Sequence, residues 1–285
     1  MSHLHIRLFG PLQLHCQGKM VVSFPTRYVA ELLSYLLVNP AQRHAREKVV
    51  TLLWPDCGMQ QGRARLSTTL WRLRHVFSQL ELAAEDFVLC ERDWVSWQPS
   101  RPFTLDITQF NNHLLAARRT NQPQAQAAAL ETAASLYHGE FCEGLYTDWC
   151  LIERERYARA YLATLGQLMQ NAITRHAYTT AIDLGQAILE QDPLREEVHR
   201  ALIICYGRNN QPAQAAKQFQ QCAHLLQTEL GIMPMPETIA AFQQVLSEGV
   251  AIVIKHHPTT AQQQAIQTAL RDFQKAGEHL QQLLL

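Results

Sequence analysis

The stretch Gln60-Gln61-Gly62-Arg63-Ala64-Arg65-Leu66-Ser67-Thr68-Thr69-Leu70-Trp71-Arg72-Leu73-Arg74-His75-Val76-Phe77-Ser78-Gln79-Leu80 decides the fold. It contains no proline, and its only glycine, Gly62, falls in the first turn. Leu66, Leu70, Leu73, Phe77 and Leu80 recur at intervals of four, three, four and three. At ~100° per residue they share one stripe, which predicts an amphipathic helix with a buried face. Gln61, Arg65, Thr68, Arg72 and His75 occupy the other side, with no acid among them. A solvated helix face ordinarily mixes signs and gains from i,i+4 pairs. Long donors with short hydroxyls are the groups that reach phosphates and base edges when a helix enters the major groove. A surface helix that is merely basic would look the same in isolation, so its neighbours carry the decision.

Upstream, Leu4 to Phe9, Leu12 to Cys16 and Met20 to Phe24 read as three short strands separated by Gly10-Pro11 and Gln17-Gly18-Lys19. They predict a small antiparallel sheet. Pro25-Thr26 opens a helix that Asn39-Pro40 stops, and a second helix from Arg46 to Trp54 ends at Pro55. Downstream, Phe87 to Cys90 and Trp94 to Trp97 flank Glu91-Arg92-Asp93 as a hairpin. Sheet, three helices and hairpin together predict a winged helix-turn-helix, with the third helix as reader and the hairpin as wing. Residues 98 to 105, broken by prolines, read as a linker. Beyond Asp106 the pattern is helical throughout. Helices are expected at about 108–118, 124–137, 148–175, 178–190, 196–208, 212–229 and 236–246. Tyr178-x-x-Ala181 and Pro212-x-x-Ala215 lie 34 residues apart, as do Leu168-Met169 and Leu202-Ile203. A helix–turn–helix unit of that period is the tetratricopeptide pattern. After Pro258, Ile266, Leu270, Phe273, Gly277, Leu280 and Leu284 form a short heptad seam, which suits either a capping or a self-association helix. The fold class is therefore α+β, with domains expected at 1–98 (winged helix), 106–248 (tetratricopeptide-like helices) and 249–285 (tail), joined by the 99–105 linker.

With 285 residues, 47% hydrophobic and 18% charged, the chain is globular and long enough for two or three cores. Its formal net charge is zero, but the charge is unevenly spread. Between Thr26 and Ser78 eight basic residues face only Glu31, Glu47 and Asp56, the asymmetry expected of a DNA-binding part joined to something else. The seven cysteines are scattered without a C-x-x-C pair, so reduced, packed thiols are expected. The histidines are dispersed, and no metal site or cofactor is expected. Neither a membrane span nor a signal-peptide pattern is visible, so a cytoplasmic, nucleoid-associated protein is expected. No paired catalytic carboxylates, nucleophile elbow or phosphate loop is present, and no catalytic residue is assigned.

Within the winged helix, Arg65, Thr68, Arg72 and His75 are candidate base or phosphate contacts. Thr69, at the edge of that face, is a candidate contact for a thymine methyl. Arg63 and Arg74 flank the buried stripe and suit phosphates or a neighbouring acid. Arg27, Arg46 and Lys48 are phosphate candidates, and Arg92 at the wing tip suits a phosphate or the adjacent minor groove. Trp71, Trp94 and Trp97 are expected in the core, Trp149 at a seam, and Asp106 as a helix cap.

Several motifs carry a family resemblance over residues 4 to 247. They are Leu8-Phe9-Gly10-Pro11-Leu12, Leu52-Leu53-Trp54-Pro55-Asp56, the Arg63, Leu66, Leu70, Leu73, Arg74 pattern, Leu105-Asp106-Ile107-Thr108-Gln109-Phe110 and Leu136-Tyr137-His138-Gly139-Glu140-Phe141. Trp149 with Glu153-Arg154-Glu155-Arg156, Asp192-Pro193-Leu194-Arg195-Glu196 and Glu229-Leu230-Gly231-Ile232 with Pro234 and Pro236-Glu237 continue the series. Together they resemble the Streptomyces antibiotic regulatory protein family of bacterial transcription activators. These join an OmpR-type winged helix to a bacterial transcriptional activation domain. The resemblance implies an activator that binds tandem direct repeats in double-stranded DNA near a promoter and contacts RNA polymerase. By analogy the loop from Trp54 to Gly62 implies polymerase contacts at Trp54, Asp56 and Met59. The helix from 148 to 175 would help dock the two halves. The tail after Leu246 departs from the family pattern. With no receiver or ATPase pattern in it, the chain looks like a short stand-alone form or a fragment, without aspartyl phosphorylation in cis. The competing expectation is a protein-interaction adaptor that works through its helical domain, with a winged helix that no longer binds DNA. The acid-free face of the reader helix favours the activator.

Overall fold

In the computed structural model, which describes residues 3–40 and 42–255, the chain divides between Leu168 and Met169 into two compact units. The first opens with β1 (Leu4–Arg7), β2 (Gln13–Cys16) and β3 (Lys19–Val21), paired antiparallel in sequence order. The alternation that predicted them is borne out, since Leu4, Ile6, Leu14 and Cys16 point inward. One strand was not expected. Residues read as a linker contain β7 (Phe103–Leu105), which pairs parallel to β1 with Leu4 opposite Phe103 and Ile6 opposite Leu105. The sheet is therefore mixed, in the order β3-β2-β1-β7. The prolines at 99 and 102 precede β7 rather than interrupt it, so its backbone donors remain free to pair.

Next come α1 (Arg27–Val38), the short β4 (His44–Ala45), α2 (Arg46–Leu53) and α3 (Met59–Gln79). Pro55 ends α2, and the Cys57 N–H turns back to the Trp54 carbonyl at 3.1 Å. The stripe Leu66, Leu70, Leu73, Phe77 and Leu80 is buried, as its spacing requires. The hairpin of β5 (Val88–Cys90) and β6 (Trp94–Trp97) closes through the Glu91 N–H to the Trp94 carbonyl at 2.9 Å. It joins β4 in a second sheet of order β4-β6-β5. Phe77, Phe87 and Trp97 stack beneath it, with ring centroids 5.3 Å and 5.5 Å apart in succession. This is the expected winged helix.

The first unit continues through α4 (Asp106–Arg119), α5 (Pro123–Leu136) and the start of α6 (Asp148–Thr174). Phe110, Phe141 and Tyr157 belong to the same buried cluster as Leu4, Leu33, Leu66 and Phe77. Phe9 holds this part together, with Phe110 at 5.2 Å and Tyr157 at 5.3 Å. Asp106 does not cap its helix from outside. It is the first helical residue, and one carboxylate oxygen accepts the Leu8 and Phe9 N–H groups at 2.7 and 2.8 Å.

In the second unit follow α7 (Tyr178–Gln191), α8 (Glu196–Arg208), α9 (Pro212–Leu225) and α10 (Pro236–Lys255). The 34-residue repeat is buried at Ala181 and Ala215 and at Leu202 and Ile203, which are fully enclosed, while Tyr178 and Pro212 at the helix starts stay half-buried and exposed, respectively. Close approach also fixes Gly185, where a Cβ would stand 2.7 Å from Leu202 Cδ2. A π turn (Leu226–Leu230) ends α9 and closes at Gly231 in the left-handed region, φ 69°. The α10 backbone runs past Leu246 to Lys255. The heptad-spaced tail from Ile266 to Leu284 lies outside the described residues. All seven cysteines are free, and burial pushes the Cys205 and Cys222 thiols up to about 11, as packed thiols require.

Candidate nucleic-acid interface

The third helix presents an outward arc that follows from its buried stripe. Gly62, Leu66, Thr69, Leu70, Leu73, Val76 and Phe77 face the core. At 3.6 residues per turn, Ala64, Thr68, Trp71 and His75 lie within about 40° of the opposite direction. Arg63 and Arg74 flank this arc on one side, and Arg65 and Arg72 on the other. The whole arc is free of acids, as the spacing indicated.

Its arginines differ in what holds them. Arg63 pairs with Glu47 on α2, and Arg74 donates to Glu85 at 2.8 Å. Each is a cation already neutralised by the protein. Arg65 and Arg72 carry no ion pair among the described residues, and neither do Lys48 on α2 and Arg92 at the wing tip. Arg65, Lys48 and Arg92 are exposed, and Arg72 is half-buried. Arg27 folds onto its neighbour, donating to the Tyr28 hydroxyl at 3.1 Å with its guanidinium 4.9 Å from the ring centre. Arg46 donates to Ser67 Oγ at 3.1 Å, tying α2 to the reader.

Four expectations need correction. Thr69 is 3% exposed and its hydroxyl donates to the Arg65 carbonyl at 2.9 Å, so it cannot reach a thymine. One residue along the wheel from Thr68 is enough to turn it inward. Trp54 is buried against Tyr28, with rings 5.0 Å apart, and offers no surface to a polymerase. Asp56 in the loop and Met59 at the start of α3 are exposed. Trp71 is not a packing residue. It is 54% exposed on the outward arc, its ring 4.2 Å from that of His75 one turn on. Trp94 is 41% exposed, under the Arg43 guanidinium, because β6 turns Val95 and Trp97 inward instead. Trp71 is the residue that sequence reasoning missed, although the same helical count that found the leucine stripe places it opposite.

A groove of about 800 Å³ runs along α1, α2 and the first turns of α3 and α6. It brings Arg27, Lys48 and Arg65 beside Trp54 and Asp56. Glu31 lies within it, and burial pushes its carboxyl above the ordinary range against the pull of Arg27. Among the described residues no cluster of histidines, cysteines or acids could hold a metal ion, and no helix is long and apolar enough to cross a membrane.

Comparison with known proteins bears on this arrangement. The bacterial transcriptional activator domain family matches residues 105–246. Regulatory protein AfsR of Streptomyces coelicolor is 22% identical over 252 residues, which is 87% of this chain and 25% of AfsR. Its namesake in Streptomyces griseus is 22% identical over 246 residues, 85% of this chain and 24% of that protein. The chain thus spans about a quarter of the length of these relatives. Among solved structures, Mycobacterium tuberculosis EmbR, determined in complex with a low-affinity phosphopeptide, superposes with a TM-score of 0.69 at 18% identity. The superposition covers 97% of this chain and 72% of EmbR, so the two share a fold. Winged helix, helical domain and relatives agree: residues 105–246 match the bacterial transcriptional activator domain, and the chain as a whole is similar to these regulatory proteins only in the quarter of their length that it spans.

Proposed function

We propose that this regulator binds double-stranded DNA sequence-specifically through α3, occupies direct repeats near promoters in the bacterial cytoplasm, and activates transcription by contacting RNA polymerase. The observation that carries the reading is the acid-free outward arc of α3 with Arg65 and Arg72 unpaired beside it. An unpaired guanidinium is available to guanine or phosphate without first breaking an internal salt bridge, and a bidentate arginine on guanine discriminates by roughly 1–3 kcal/mol. Lys48 and Arg92 add phosphate contacts from the helix that crosses the backbone and from the wing. Arg63 and Arg74 serve as structural pairs that swing to phosphate only at the expense of Glu47 and Glu85. Asp56, exposed in the loop ahead of α3, and Met59, exposed at its first residue, are the surface offered to polymerase.

The test is selection of bound duplexes from a random pool, followed by titration at several salt concentrations. Wild type is expected to enrich a direct repeat spaced by about one helical turn. Arg65→Ala and Arg72→Ala are each expected to weaken the selected site by roughly 10-fold or more and to relax one base position. Uniformly weak binding with a steep salt slope, unaffected by either substitution, would reduce the interaction to phosphate attraction and defeat the reading.

A further inference from the structure

The centre of the outward arc of α3 is apolar. Ala64 and Thr68 are its short members, and the Thr68 hydroxyl is committed to its own helix, donating to the Ala64 carbonyl at 3.1 Å. Ser67 beside them likewise donates to the Arg63 carbonyl, at 3.0 Å. What the arc offers a partner at its middle is therefore methyl groups and one indole, with the His75 imidazole packed on it. Trp71 stands among these short side chains as the tallest feature, 54% exposed, with His75 packed along one side of its ring. An indole is costly to leave in water, and nothing in its own fold requires Trp71 there, since the buried stripe is complete without it. The flanks explain what covers it. Arg65 and Arg72 border the same arc without acidic partners among the described residues, and the arc itself carries no negative charge. That pattern, an apolar centre beside free cations, complements the major groove of B-DNA. There the phosphates lie at the rims, and the apolar group on the floor is the thymine C5-methyl.

We propose that Trp71 is a specificity-determining residue that reads a thymine methyl group in the major groove. The proposal rests on the DNA-binding reading above and deepens it. The arginines set affinity and guanine preference, whereas Trp71 requires an A·T pair of fixed orientation in each half-site.

The experiment starts from the duplex that wild type selects. Each thymine is replaced in turn by deoxyuridine, which removes only the methyl group, and dissociation constants are measured for wild type, Trp71→Ala and Trp71→Phe. Wild type is expected to lose about fourfold at one thymine per half-site, the equivalent of one buried carbon. Trp71→Ala is expected to bind more weakly and to be indifferent to that same replacement, and Trp71→Phe to retain part of the discrimination. The salt dependence of binding should be the same in all three, because no phosphate contact is removed. Thermal unfolding of both variants matching wild type would show that the half-exposed ring is not structural. A selected, arginine-dependent duplex whose methyl sensitivity is absent, or survives in Trp71→Ala, would overturn the inference and leave the DNA-binding reading standing. No selected duplex, with Arg65→Ala and Arg72→Ala indistinguishable from wild type, would defeat both.

Discussion

Asp106 is 6% exposed, and its carboxylate accepts the N–H groups of Leu8 and Phe9, nearly a hundred residues away, as well as that of Ile107 at 2.7 Å. Burial pushes the carboxyl above its ordinary value against the pull of these donors and of Arg7. Asp106→Ala would strand two buried backbone donors, and the expected loss is about 2–5 kcal/mol in chemical denaturation. Asp106→Asn, which keeps an acceptor, should lose less. His199 works in the opposite sense. It is buried between the Pro193 carbonyl, to which Nε2 donates at 2.9 Å, and Gln218, whose amide donates to Nδ1 at 2.6 Å. Burial lowers its pKa below the ordinary 6.5, so the native state holds the neutral ring while the unfolded chain takes up a proton. Stability should therefore be fully present above about pH 6.5 and decline on acidification. Urea midpoints across that range are expected to fall for wild type and to change less for His199→Gln. Neither role could be seen in the sequence, because local rules make an aspartate before an apolar run a cap and cannot name a partner far along the chain. Trp71 is the contrary case. Its exposure follows from the leucine spacing alone, and the expectation that tryptophans are buried obscured it.

Between elements, close approach is set by glycine. A Cβ at Gly62 would collide with Val50 Cγ1, so the one glycine of α3 marks where α2 crosses it. Gly62→Ala gains about 1 kcal/mol of helix propensity, but overpacking of this kind costs about 1–3 kcal/mol. The expected result is a net loss that Val50→Ala relieves. A double-mutant cycle on unfolding free energy should give a favourable coupling of about 1 kcal/mol, whereas additive effects would deny the contact. Elements were legible where their signals are periodic. The helices of the second unit begin where expected, since Pro212 and Pro236 open two of them and Ala181 and Ala215 repeat at the packed positions, although α10 runs on past its expected end at 246 to Lys255. The strand β7 was not legible. Three residues just after Pro102 carry too short an alternation, and only the parallel partner β1 makes them a strand.

At the scale of the first unit, the winged helix is not closed by its own sequence. The motifs Leu8 to Leu12 and Leu136 to Phe141, which carried the family resemblance separately, meet in space. Phe9 and Gly10 bridge to Phe141, the Gly10 N–H donates to the Glu140 carbonyl at 2.8 Å, and the Cys142 N–H donates to the Leu8 carbonyl at 2.7 Å. The Arg154 guanidinium holds that segment, donating to the carbonyls of Phe141, Cys142 and Leu145 at 2.8–3.0 Å. A fragment of residues 1–98 would lack β7, Asp106, Phe110, Phe141 and Tyr157. It would leave one side of β1 unpaired and expose the core face of Phe9. Open strand edges and uncovered aromatic surface favour aggregation over folding. We therefore expect the 1–98 fragment to unfold without a cooperative transition, or far below the intact chain, and to bind a selected duplex weakly if at all. A fragment of residues 1–176, which keeps all of α6, should melt cooperatively and retain duplex binding. If 1–98 instead melts as sharply as 1–176 and binds equally well, the contacts around Asp106 and Phe141 join two independently stable parts, and the reader helix needs nothing beyond the wing to hold its position.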